Sequence, residues 1–236
     1  MRAITSLFFT LASLAAMPAL AADPVTDAMQ AAYAPYRAAL FRTNSKAQLE
    51  SEQAIAQAQQ AWKAISERFA AKPPAPYDRD AEFAKSLAQV AAIYERAAQQ
   101  VSDRRLAEAH ETLEQVRDLI AGLRRRNDVV VFSDHMNAYH ADMEHVLEQG
   151  SQAFAAPQDL LLLMGRVGTL EYLARRLRTE APAALLREPE FAPLLEAVEA
   201  SVAALHAAVL SQDAAVVRAA IGKLKGPYSR MFLKFG

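Results

Sequence analysis

The chain has 236 residues, with 26 basic and 27 acidic side chains for a net charge of −1, and it contains no cysteine. That balance excludes nucleic-acid or polybasic membrane binding by bulk charge. The lack of thiols excludes disulfides, thiolate metal centres, a lipoprotein anchor and covalent haem attachment through Cys-x-x-Cys-His.

Arg2, the apolar run from Leu7 to Ala16 and the small-residue triplet Ala19-Leu20-Ala21 supply the three parts of a secretory signal. Residues 1–21 are therefore expected to be a signal peptide, and the mature chain to start near Ala22 as a soluble, exported, periplasmic protein. Excising the segment removes Arg2 and no acid, which leaves a net charge of −2. No later stretch is continuously apolar over the roughly 20 residues of a membrane helix, so no transmembrane segment is predicted in the mature chain.

With 7 glycines, none before Gly122, and a background of Ala, Leu, Glu, Gln and Arg, the chain has helix-forming composition and little material for hairpins. Amphipathic helices are predicted near 26–43, 46–71, 80–100, 103–126, 132–149, 157–179, 190–210 and 212–225. Pro35 is placed to kink or open the first. In the second, Ile55, Ala58, Trp62, Ile65 and Phe69 recur at helical steps and form a core stripe. Pro73, Pro74 and Pro76 separate the second and third helices, and Pro157 opens another. Ser45, Ser102 and Asp213 are predicted to cap helix starts, Gly150 to end a helix in the left-handed conformation, and Pro227 to stop the eighth helix from continuing unchanged. The β-branched run Val129-Val130-Val131 marks a weak boundary between about 127 and 132.

Ala97-Ala-Gln-Gln-Val-Ser-Asp103 resembles Ala207-Ala-Val-Leu-Ser-Gln-Asp213, and a looser copy begins at Ala38. The spacings are too irregular for a solenoid. The expected fold is all-α, with stacked antiparallel helical hairpins forming one or two helical bundles.

Three of the five histidines lie within Ser133–His145. On a helix, His135, His140 and His145 are each rotated by roughly 140° from the next, so they cannot close on one ion. Met136, His140, Met143 and Leu147 do share a face, with Glu144 one turn beyond His140. Thioethers beside an imidazole suit copper, and a Met and a His can also serve as axial ligands of non-covalent haem b. The same spacing describes an ordinary core stripe in which His140 bonds a neighbouring helix. On the fourth helix Leu106, His110, Leu113 and Arg117 share a face, with Glu114 following His110 by four. This set reads as a buried ion-pair network, as a binding site for an anion or a carboxylate ligand, or as a source of His110 for a site shared with His140; His206 is a third imidazole among apolar residues. Phosphate loops, nucleophile elbows, Glu-x-x-His and His-Glu-x-x-His are absent, so catalysis is not expected.

At the end of the chain Tyr228, Met231, Phe232 and Phe235 recur at helical steps, either sealing the bundle or presenting an aromatic surface. In general style the chain is similar to periplasmic bundles such as the cytochrome c-prime and imelysin-like groups. It has neither Cys-x-x-Cys-His nor Gly-x-His-x-x-Glu, so no residue role is carried over. The sequence-level expectation is an exported helical bundle that binds or transfers a metal ion, copper or iron. Its ligands would be Met136, His140, Met143, Glu144 and His110. The alternative is a metal-free periplasmic adaptor that docks a protein partner through its hairpins and aromatic tail.

Overall fold

The computed structural model describes residues 23–150, 154 and 157–236. The expected signal segment lies outside them. Among the described residues the regular structure is entirely helical, as the composition implies. In chain order the helices are α1 (Pro24–Asn44), α2 (Gln48–Phe69), α3 (Phe83–Ser102), α4 (Leu106–Arg126), α5 (Phe132–Gln149), α6 (Pro157–Thr179), α7 (Ala183–Leu186), α8 (Phe191–Ser211), α9 (Ala214–Ile221) and α10 (Lys225–Phe235).

Helices α1–α4 pack as successive hairpins, with α1 against both α2 and α4. Helices α5, α6 and α8 form a second layer, and α10 lies between the two, touching α1, α5 and α8. One continuous apolar core runs through both layers. Trp62 is wholly inside it, and its indole N–H donates to the Leu87 carbonyl at 2.9 Å. The α4–α5 connection at the expected weak boundary is clamped from both sides. The buried Arg124 guanidinium bonds the Asp134 carboxylate, which also accepts from the Val131 amide at 3.0 Å.

Helix ends depart from the sequence expectations in instructive ways. Asp23 caps α1, accepting from the Thr26 amide at 3.0 Å, with Pro24 at the first helical position; the helix then runs unbroken through Pro35. Asp213 caps α9 as expected. Ser45 and Ser102 do not start helices; they lie at the ends of α1 and α3. Gly150 is right-handed, and the left-handed turn positions belong to Lys46, Arg104, Asp128 and Gln212.

Two larger differences concern the second half. By length and composition α8 is apolar enough to cross a membrane, the one such helix among the described residues. It nevertheless carries Glu196, Glu199 and His206, and it buries Phe191, Leu195, Val198, Val202 and Leu205 while packing on α6 and α10. The predicted helix 212–225 is the shorter α9, which ends at Ile221, and α10 begins at Lys225. Gly226 and Pro227 open the second of these instead of ending the first, because a proline in a first turn forfeits no intrahelical bond.

Candidate functional site

The site residues come from α4, α5 and α10, with α1 closing the apolar side. His110, Glu114 and Arg117 follow one another at steps of four and three on α4, and His140 and Glu144 are four apart on α5, so each set projects from one side of its helix. Both sides open into a cleft of about 500 Å³, whose apolar wall is made by Leu40 and Phe41 of α1 and by Tyr228, Phe232 and Leu233 of α10.

Arg117 organises the polar wall. Its side chain is 7% exposed, one guanidinium nitrogen donates to His140 Nδ1 at 2.6 Å, another pairs closely with Glu114 Oε2, and the group lies over the Phe232 ring. A guanidinium has no lone pair to offer, so His140 Nδ1 must be the acceptor. His140 is then neutral with its proton on Nε2, directed at Glu144 Oε1 3.3 Å away. The ring also stacks on Tyr228, with centroids 5.2 Å apart. Burial lowers the affinity of His140 for a second proton and Arg117 adds to the effect, against the pull of Glu144. Glu144 is held down to about 2 by the His140 hydrogen bond, with Lys225 adding to it.

His110 is fixed differently. Its Nδ1 lies 3.1 Å from the Leu40 carbonyl, which can only accept, so Nδ1 carries the proton. Burial lowers the His110 pKa, and the charges of Lys225 and Arg117 act in the same direction. The neutral ring turns its Nε2 lone pair toward the cleft and toward Glu114 Oε1, 3.5 Å away. Arg117 holds the other oxygen of the same carboxylate.

Of the five residues predicted as metal ligands, His110, His140 and Glu144 line this one cleft. Met136 and Met143 have no exposed surface and belong to the core, outside the cleft lining. Among the described residues no group of three or more His, Asp or Glu side chains is placed to hold a metal ion. The three histidines of α5 splay as the helical geometry requires: His140 lines the cleft, His135 borders a separate surface hollow, and His145 is exposed. His206 is elsewhere too, its Nδ1 2.6 Å from Glu171 of α6.

Sequence reasoning singled out Glu114 and Arg117 but gave them no place in the metal site, and it missed Phe41 and Lys225. The signal for Lys225 was the Gly226-Pro227 pair, read as a stop where it is a start. The aromatic tail seals the bundle: Tyr228 and Phe232 are buried, and Phe235 packs on Phe191 with centroids 5.3 Å apart. No family model matches the chain, and neither a curated protein nor a solved structure is significantly similar to it.

Proposed function

We propose that this is an exported binding protein, with no catalytic role, that takes a small cationic ligand in the cleft between α1, α4, α5 and α10. One observation carries the reading: the lining sets Glu111, Glu114, Glu144 and Glu148 against Arg117 and Lys225, while the neutral His110 turns a lone pair inward. Clefts lined by one prevailing sign concentrate ligands of the opposite sign. A cleft of about 500 Å³ with one apolar wall also has the size and character of a small-molecule site.

A copper or iron ion is the second reading, favoured by the entry of two His-x-x-x-Glu pairs, His110 with Glu114 and His140 with Glu144, into the same space. With Met136 and Met143 in the core, these donors are imidazole and carboxylate, which suits Cu(II) or Fe(II) better than Cu(I) or haem b. Arg117 would have to release His140 and Glu114 for all four to serve. The adaptor reading draws less support from the aromatic tail, in which Tyr228 and Phe232 are buried and Phe235 packs on Phe191.

Calorimetric titration of the purified mature chain tests the proposal, using Cu(II), Fe(II), Zn(II), haem and organic amines beside matched carboxylates. Binding of cations, weakened at least tenfold by Glu114→Gln, supports it. Binding of carboxylates with no response to any cation refutes it.

A further inference from the structure

We propose that the ligand is a primary alkylammonium, its head group bridging His110 Nε2 and Glu114 Oε1 and its hydrocarbon body lying along Phe41, Phe232 and Leu233. The assignment rests on the cation-binding reading and narrows it to one chemical class.

The polar wall presents two kinds of group. His140 is already satisfied at both nitrogens, since Arg117 donates to Nδ1 and Nε2–H points at Glu144. His140 therefore positions the wall and is not a contact for the ligand. At His110 the arrangement is reversed. With its proton committed to the Leu40 carbonyl, Nε2 confronts Glu114 Oε1 as one acceptor facing another across 3.5 Å. A donor that touches both relieves that repulsion, and a positive donor does so most strongly in partly buried surroundings.

An ammonium group suits this pair better than a metal ion. It carries three N–H donors and requires only hydrogen bonds. A tetrahedral or octahedral metal site calls for four or more ligands, and no group of three His, Asp or Glu side chains converges among the described residues. A quaternary ammonium lacks the N–H that Nε2 demands. A carboxylate head would meet the lone pair and the anion head-on.

The opposite wall explains the body of the ligand. Phe41 and Leu233 are each 38% exposed at the edge of the cleft, and Leu40 and Phe232 continue the apolar surface inward. A bare ion would leave this surface unused. An alkyl chain covers it, and each methylene buried there should raise affinity about fourfold.

Isothermal titration of the mature chain at pH 7.5 with n-butylamine, n-hexylamine and n-octylamine tests this, beside alkyl carboxylates of the same lengths, tetramethylammonium, Cu(II), Fe(II) and Zn(II). We expect affinity to climb about fourfold per methylene among the amines. We also expect a loss of at least tenfold in His110→Ala, and a flattened chain-length dependence in Phe41→Ala, whose exposed site spares the fold. His145→Ala, on another side of α5, should leave binding unchanged. Binding of metal ions without amines overturns the alkylammonium assignment and leaves the cation reading standing. Failure of amines and metals alike overturns both, as does tighter binding of the carboxylates.

Discussion

Arg117→Met removes the charge at the centre of the polar wall and keeps an apolar stem of similar length against Phe232. Removing one partner of a buried ion pair costs about 3–5 kcal/mol when the other is left without water. That upper range does not apply here, because the Glu114 side chain is 34% exposed and His140 borders the open cleft, so both can be rehydrated. We expect a loss of about 2 kcal/mol, a discounted form of the buried-pair figure. For a chain of this length that corresponds to a fall in Tm of roughly 4–8 °C, measured by calorimetry or circular dichroism at pH 7. The variant has a second readout. Without the guanidinium at Nδ1, His140 should bind a proton more readily, and its imidazole resonances should titrate at higher pH than in the parent protein. A Tm unchanged to within about a degree, or a His140 titration that does not move upward, would refute the claim that Arg117 organises this wall.

Acid should destabilise the fold in two stages. His110 and His140 both have lowered pKa values in the folded state, so the unfolded chain binds more protons and stability falls as pH drops through about 6.5. Glu144, held down to about 2, adds a further loss as pH falls below the ordinary glutamate range. Urea midpoints at pH 7.5, 5.5 and 4 measure this, and His140→Ala should shrink the first step. Trp62→Phe removes the indole bond to the Leu87 carbonyl, which keeps its helical partner within α3, and should cost about 0.5–1.5 kcal/mol by urea denaturation. Asp213→Ala removes the acceptor for the Ala215 and Val216 amides and should cost about 1 kcal/mol, read as a lowered Tm. Lys46→Gly relieves a left-handed residue in the α1–α2 turn and should raise stability by about 1 kcal/mol in the same assay.

The helices were legible because long stripes such as Ile55-Ala58-Trp62-Ile65-Phe69 have only one periodic solution. Their ends were less so, since the left-handed turns use Lys46, Arg104, Asp128 and Gln212 where glycine would have announced them. Half of the site was legible for the same reason as the helices: the i, i+4 spacing puts His110 with Glu114 and His140 with Glu144 whatever the tertiary arrangement. Which histidines meet is a question of packing between helices. No periodicity distinguishes His206, paired with Glu171, from His110, which shares a cleft with His140. Met136 and Met143 misled because a thioether stripe on an inward face looks the same whether it faces ligand or core. The two became separable only once α10 was seen covering the bundle.

Lys225 to Phe235 supply one wall of the cleft, and the same segment joins the two helical layers. A chain cut short before Lys225 could still assemble the α1–α4 hairpins, yet it would have neither the Tyr228 ring beneath His140 nor the Phe232 ring under Arg117. The cleft is therefore complete only when α10 is in place. Such a shortened chain would leave bare the apolar flank of α1, α5 and α8 that Tyr228, Met231 and Phe232 otherwise share.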